Sequence, residues 1–174
     1  MSDDEYVDDY EDVRGYHLDD ENERQLVEKQ TECTFMWTNS QGEPVGVIVN
    51  YVFRKGAVWV TCTRMRKRIK AIEARPRVSI AISSRGTNIG RSMAVTYKGS
   101  AVIHDDEETN HWMNTELANA VRPNDPEQAA AFAEHLANSA GRVAIEIVPD
   151  QRIGFDSAAL FKNSPAGPSQ IHVE

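Results

Sequence analysis

The chain has 174 residues, of which 40% are hydrophobic and 26% are charged, a composition that supports one folded domain and excludes full disorder. No run approaches the roughly 18 consecutive apolar residues that a membrane-spanning helix requires. The first residues, MSDDEYVDDYEDVR, lack the basic and apolar regions of a secretory signal. Cys33 and Cys62 lie far apart and outside any C-x-x-C pattern, which favours a reducing, cytoplasmic compartment over a zinc ribbon or a redox dithiol.

The net charge of −8 is distributed unevenly along the chain. Residues 1–23 carry eleven acidic residues and one basic residue, whereas the remainder carries 16 acidic and 18 basic residues. We therefore predict a disordered acidic tail over 1–22, a folded domain over 23–160 and a loose tail over 161–174. The acidic tail is either a solvated, solubilising segment or a segment that folds over a basic groove and competes with an anionic ligand.

The elements predicted for the domain are strands in hairpin order, interrupted by short helices. In chain order we predict a helix over 21–29, strands over 34–38, 45–53 and 57–63, a helix over 64–75, strands over 77–83 and 91–103, helices over 104–119 and 126–139, and closing strands over 143–148 and 153–155. About six strands in this order, without repeated strand-then-helix units, predict a mainly β (α+β) fold built on a small antiparallel barrel.

Several catalytic and nucleotide-binding motifs are absent from the sequence, namely G-x-G-x-x-G, the Walker A pattern, G-x-S-x-G and H-E-x-x-H. His104 and His111 lie among acidic residues but are two helical turns apart, too far to ligate one metal without a third element. We therefore predict no metal site. Cys62 lies in an apolar strand, which indicates a buried small hydrophobic residue rather than a nucleophile.

Basic residues are concentrated between positions 64 and 77, where seven bases accompany a single acid, Glu73. They follow a strand that ends in Thr61 and Thr63 and lead into a predicted helix. Hydroxyls, guanidinium groups and helix N-terminal amides together form a suitable site for a phosphate. A solvated helix face is the alternative, and a nucleic-acid patch is disfavoured because no aromatic residues are interleaved and the tail is acidic.

Three segments in order resemble the pyridoxamine 5′-phosphate oxidase-like, FMN-binding split-barrel superfamily. They are NSQGEP at 39–44, the stretch 61–76 followed by RVSI, and VTYKGSAVIHD at 95–105. The resemblance covers about residues 23–156 and is closest to the actinobacterial flavin- or deazaflavin-dependent oxidoreductases. It implies a six-stranded antiparallel split β-barrel with short flanking helices. It also implies a homodimer with two cofactor sites at the interface, where the tryptophans are candidates to pack: Trp37, Trp59 and Trp112.

The resemblance also implies a set of cofactor-binding residues. Those implied to hold the cofactor phosphate are Thr61, Thr63, Arg66, Lys67 and Arg68. Those implied to line the isoalloxazine are Val47, Val49 and Tyr51. The chain departs from the family pattern at three places, with Arg68 where lysine is usual, Ala71 where asparagine is common and Arg75 where aspartate is common.

From this resemblance we expect an oxidoreductase that moves a hydride between a flavin-like cofactor and a small organic acceptor. The cofactor is FMN or the deazaflavin coenzyme F420, and a base cluster that extends beyond one phosphate favours F420 with its oligoglutamate tail. No side chain is assigned as catalytic, with Tyr51 and Tyr97 as candidates only. Two alternatives remain: a protein that stores or senses the cofactor without turnover, and an interaction module whose acidic tail engages a basic partner. We expect no nucleic-acid or membrane partner.

Overall fold

The computed structural model describes residues 15–163, which fold into one antiparallel sheet flanked by helices. The strands are β1 Glu32–Thr38, β2 Pro44–Asn50, β3 Val52–Arg54, β4 Ala57–Thr63, β5 Arg77–Ser83, β6 Met93–His104 and β7 Arg142–Asp156. The helices are α1 Asp20–Lys29, α2 Lys67–Ala74, α3 Glu107–Val121, α4 Pro126–Ala137 and α5 Ser157–Asn163. Most of the predicted tails, residues 1–14 and 164–174, lies outside the described residues. Of the helices described, none is long and apolar enough to cross a membrane.

The predicted mainly β architecture is confirmed, with seven strands in place of six. Their order across the sheet is β2-β1-β5-β6-β7-β4-β3, and every neighbouring pair is antiparallel. The predicted strand over 45–53 divides at Tyr51, because Asn50 still pairs with β1 whereas Val52 pairs with β4. The two predicted closing strands are one, since β7 continues alongside β6 from Arg142 to Asp156 with one register shift.

The sheet curls because its two outermost strands, β2 and β3, are joined by a single residue, Tyr51. Consecutive Cα atoms lie only about 3.8 Å apart, so the two borders of the sheet must meet at this residue. The Tyr51 amide donates to the Thr31 carbonyl oxygen over 3.0 Å, and its phenol donates to the Val27 carbonyl oxygen over 3.0 Å. The ring is 1% exposed and fixes the corner of the barrel.

The inner face of the curled sheet holds the main hydrophobic core. Strand alternation sends every second residue inward, so Phe35, Ile80, Val95 and Ile145 are all buried in one cluster. A bulge between Lys98 and Gly99 interrupts the register of β6 on β7. The bulge accounts for the mid-strand glycine, because a Cβ at this position would lie 2.1 Å from the Val148 carbonyl oxygen.

Helices α3 and α4 cover part of the outer face and form a second core. Trp59 and Ala144 of the sheet are buried there against Met113 and Leu117 of α3. The predicted helix over 104–119 begins later than expected, at Glu107, because the Asp106 carboxylate accepts from the Thr109 amide over 2.8 Å and caps α3. His104, which was predicted to start the helix, is instead the last residue of β6.

The folded region begins before the predicted boundary at residue 23. Leu18 is 1% exposed and packs against Gly154 of β7. The Asp156 amide donates to the Tyr16 carbonyl oxygen over 2.9 Å, and Asp19 caps α1 by accepting from the Asn22 amide over 2.8 Å. Residues 15–22 therefore belong to the domain, although their acidic composition predicts a tail.

Candidate functional site

The turn between β4 and α2 places backbone donors and basic side chains at one end of the barrel. The Thr63 carbonyl oxygen accepts from the Arg66 amide over 3.0 Å, which closes a turn after the strand. Arg66 is the N-cap residue of α2 in an extended conformation, and its side chain makes no capping hydrogen bond. The Ile69 amide donates to the Arg66 carbonyl oxygen over 2.9 Å, whereas the Lys67 and Arg68 amides make no hydrogen bond within residues 15–163, an arrangement that favours an anion.

Three basic side chains in this turn have no carboxylate partner among residues 15–163. Arg66 and Lys67 are exposed, and Arg68 is half-buried with its guanidinium 5.6 Å from the centre of the Trp37 ring. None of the three forms an ion pair within residues 15–163. Their positive charge is therefore not neutralised by the described part of the chain.

Arg64, at the start of the same turn, has a different role. Its guanidinium donates to Glu73 over 3.1 Å and to Asp105 over 2.7 Å. These contacts tie the turn to α2 and to the end of β6. Arg64 is thus a structural residue, which agrees with its absence from the phosphate-binding set implied by the resemblance.

Arg142 adds a cation to the turn that the sequence did not indicate. It is the first residue of β7 and pairs with Thr63, the last residue of β4. Its guanidinium donates to the Thr61 hydroxyl over 3.3 Å and to the Ser139 hydroxyl over 3.4 Å, while its buried Nε has no hydrogen-bond partner in the described part of the chain. Burial lowers the pKa of Arg142, and the neighbouring charge of Arg66 lowers that pKa further. A bound anion would relieve both effects.

The two threonines at the end of β4 are not equivalent. The Thr61 hydroxyl donates to the Val143 carbonyl oxygen over 2.9 Å and accepts from Arg142, so it holds the guanidinium in place. The Thr63 hydroxyl is half-buried and makes no hydrogen bond within residues 15–163. Of the two, Thr63 is therefore the one able to contact a ligand directly.

The Cys62 thiol shows how closely the cations converge. Burial raises its pKa, while the charges of Arg68, Arg142 and Arg66 oppose that increase. The thiol is 7% exposed, which fits the predicted buried hydrophobic residue. The charges of the three guanidinium groups thus all act on the same end of β4.

The side chains expected to line an isoalloxazine, on β2 and at Tyr51 just after it, point inward. Val47 and Val49 are half-buried and pack against the main core, and Tyr51 is fully buried. Their role toward a cofactor stays a prediction, and strand alternation turns the other residues of β2 outward. Gly46 and Ile48 form that outer set on β2, and Ile48 is 64% exposed.

The three tryptophans have different surroundings. Trp59 is buried beneath α3, and its ring lies edge-on to that of Trp112 at 4.8 Å between centroids. Trp37 is half-buried beside Phe35 and Arg68. Packing in the second core, beneath α3, therefore explains the position of Trp59. Trp37 lies beside the basic β4–α2 turn.

A family model described as pyridoxamine 5′-phosphate oxidase matches residues 20–152. The chain belongs to this family. A search of curated proteins found no significant match.

Solved structures share the fold of this pyridoxamine 5′-phosphate oxidase family member at low sequence identity. A conserved hypothetical protein from Mycobacterium tuberculosis has a TM-score of 0.70 at 17% identity, covering 81% of this chain and 86% of that one. An F420 reductase has a TM-score of 0.55 at 19% identity, covering 74% and 94%. A FAD-binding protein from Mesorhizobium loti has a TM-score of 0.58 at 16% identity, covering 79% and 94%.

The described residues of this family member do not form a metal site. Residues 15–163 contain no group of three or more His, Cys, Asp or Glu side chains placed to hold a metal ion. His104, at the end of β6, instead contacts Glu146 over 2.9 Å, and its ring packs against Trp59 at a tilt of 33°. The packing of α3 on the sheet therefore explains the contacts of His104 without a metal ligand role.

Proposed function

We propose that this chain is an oxidoreductase that holds a flavin-type cofactor by its phosphate at the β4–α2 turn. The observation that carries the proposal is Arg142, a half-buried guanidinium with an unpaired Nε and no carboxylate partner within residues 15–163. A cation in this setting is stabilised by a bound anion, and Arg66 beside it doubles the positive charge. The family provides the chemical class of that anion.

The residues present fit a phosphate. Arg142 and Arg66 supply charge-assisted hydrogen bonds, Thr63 supplies a free hydroxyl, and the uncapped N-terminus of α2 supplies backbone amides. When bound, a flavin-type cofactor would supply the hydride chemistry. The chain would orient it through these contacts, and the bare backbone at Gly46 would let a flat ring approach the outer face of β2. Arg68 would remain stacked on Trp37 and contribute charge at longer range.

Between the two cofactors we favour the deazaflavin F420 over FMN. Lys67 and Lys70 are exposed on the first turns of α2, the helix whose N-cap residue is Arg66. They extend the positive surface past a single phosphate, which suits an additional polyanionic tail. The chain's likeness in fold to an F420 reductase is consistent with this choice.

The tyrosines of the barrel are poor candidates for proton donors. The Tyr51 phenol is bound to the Val27 carbonyl oxygen, and the Tyr97 phenol donates to Glu23 over 2.6 Å. Burial raises the pKa of both phenols. We therefore assign neither tyrosine as a proton donor. The same observation favours the second candidate, a protein that binds the cofactor for storage or sensing without turnover.

We further propose that two copies associate through the outer face of the sheet. One row of outward residues crosses five strands and consists of small side chains bounded by two exposed isoleucines: Ile48, Thr34, Ala81, Thr96 and Ile153. Ile48 and Ile153 are 64% and 54% exposed, so a second copy would bury apolar surface that water now contacts. Sedimentation of the wild type against Ile48→Asp tests this, because a monomeric wild type contradicts it.

We also propose a reducing, cytoplasmic location. Both cysteines are free thiols buried in the core, where neither is placed for a disulfide. Burial raises the pKa of Cys33 to about 12, so its thiol stays protonated and unreactive. Fractionation of the producing cells would check the location.

The test of the cofactor proposal is titration of the purified chain with FMN and with F420, followed by fluorescence. We expect one of the two to bind, and Arg66→Ala and Arg142→Met each to weaken it by about 1.5–3 kcal/mol, the range for hydrogen bonds to charged groups. Arg122→Met, on the exposed end of α3, is the matched control and should leave the affinity unchanged. Binding without reduction of any acceptor would favour storage or sensing. Failure to bind either cofactor would leave an interaction module as the better explanation.

A further inference from the structure

A groove separate from the β4–α2 turn lies between helices α3 and α4. Its volume is about 430 Å³, within the range of small-molecule sites. The wall from α4 is built mainly of alanines, and the wall from α3 is built of polar side chains. The residues on which the argument depends are Asn114, Asn119, Ala129, Ala130, Ala133 and Glu134.

Asn114 is the unusual member of this groove. It is 3% exposed, yet its amide oxygen Oδ1 has no hydrogen-bond partner within residues 15–163. Buried side-chain amides are almost always paired, because the alternative is a desolvated and unsatisfied polar group. The neighbouring buried residues of α3, Met113 and Leu117, are apolar. Packing of the helix therefore does not explain why an amide side chain is buried at position 114.

The groove's composition limits the chemistry of its occupant. No lysine or arginine lines it, and Glu134 is its one carboxylate among the described residues, so an anion is disfavoured. The alanine wall leaves a shallow apolar surface on which a flat ring can lie. The side-chain amide of Asn114 presents a carbonyl oxygen beside an amino group, a pair that complements an adjacent donor and acceptor on a planar ligand.

We propose that the α3–α4 groove binds a flat, uncharged heteroaromatic molecule bearing a carboxamide-like edge, with Asn114 accepting a hydrogen bond from that edge. The ring would lie against Ala129 and Ala133, and Asn119 would face the open end of the groove. This site takes a different chemical class from the phosphate proposed at the β4–α2 turn. The proposal therefore does not depend on a flavin-type cofactor.

The experiment uses the full chain and a matched pair of probes, nicotinamide and 3-acetylpyridine. Nicotinamide carries an amino group that can donate a hydrogen bond to Asn114, and 3-acetylpyridine has a methyl group in its place. Amide NMR spectra are recorded while each probe is added. We expect nicotinamide to shift resonances of α3 and α4 saturably, and 3-acetylpyridine to bind at least about tenfold more weakly, the loss expected for one hydrogen bond.

Variants decide whether the groove is responsible. Asn114→Leu removes the amide, and Ala130→Leu fills the groove from an exposed position of α4 in case the first variant folds poorly. Both should abolish the shifts, whereas Ala131→Leu, exposed on α4 but outside the groove, should retain them. The proposal is overturned if nicotinamide causes no saturable shifts, if both probes bind equally, or if binding survives Ala130→Leu.

Discussion

Arg142 and Thr61 lie diagonally across the pairing of β4 with β7, and the Arg142 guanidinium donates to the Thr61 hydroxyl over 3.3 Å. This contact holds a cation at the barrel end without neutralising it. Since the Thr61 hydroxyl donates to Val143, we propose that Thr61 positions Arg142 and that Arg142, not Thr61, contacts a ligand.

Arg142→Met tests whether this cation serves a ligand or the fold. The variant keeps an unbranched apolar stem and removes an unpaired charge, so we expect the free energy of unfolding of the cofactor-free protein to change by less than about 1 kcal/mol. Urea unfolding measures this, with cofactor affinity measured in parallel. A large loss of stability with unchanged affinity would mean that Arg142 supports the fold instead.

Tyr51→Phe tests whether the Tyr51 ring is buried at the corner of the barrel, away from the cofactor. The variant deletes the hydrogen bond to the Val27 carbonyl oxygen, so we expect it to lower the free energy of unfolding by about 0.5–1.5 kcal/mol. Cofactor affinity should stay unchanged because the ring is buried. Loss of affinity with intact stability would instead place Tyr51 against the cofactor.

Gly99→Ala tests the bulge at which Asp150 of β7 has no partner opposite Lys98 and Gly99. A Cβ there would meet the Val148 carbonyl oxygen, which cannot move without disturbing β7, so we expect a loss of about 1–3 kcal/mol in the free energy of unfolding. Gly46→Ala is the control, because a Cβ at that strand position lies 3.4 Å from two side-chain carbons. Equal denaturation midpoints for the two variants would contradict the role given to Gly99.

Asp106 links the stability of α3 to pH. The hydrogen bond from the Thr109 amide lowers the pKa of this carboxyl below its usual value. Its ionised form is therefore stabilising above the unfolded pKa, near 4, and the contribution disappears as the pH falls through the lower, folded pKa. We expect Asp106→Ala to lower the melting temperature at neutral pH, and to lower it less at about pH 2.

Asp106→Asn is the matched control for that experiment. Asparagine also caps helices but does not ionise, so this variant should keep more of the stability at neutral pH than Asp106→Ala does. Its difference from the wild type should shrink as the pH falls. A difference that is constant with pH would show that the carboxylate charge has no part in the cap.

Local signals in the sequence explain why much of the fold was predictable. The turn after Thr63, the end of α2 before Pro76 and the start of α4 at Asp125–Pro126 all depend on nearby residues. Asp125 caps α4 by accepting from the Gln128 amide, the contact that its position before a proline predicts. Such features require no knowledge of which strands are neighbours.

The remaining differences depend on long-range pairing. Strand β2 reads PVGVIVN, an almost continuous apolar run, so its sequence does not indicate which side chains face inward. Only its pairing with β1 turns Val47 and Val49 toward the core. Arg142 was missed for the same reason, because its place beside Thr61 follows from the register of two strands about 80 residues apart in the chain.

The single-residue link at Tyr51 also bears on aggregation. The outer borders of β2 and β3 are the two ends of the sheet, and they meet where this one residue joins them. These borders are not hydrogen-bonded to each other, so they are held in place by the corner and not by pairing. Cleavage or local unfolding at that corner would free both borders to move, and we expect their unpaired amides and carbonyls then to pair more readily with neighbouring molecules.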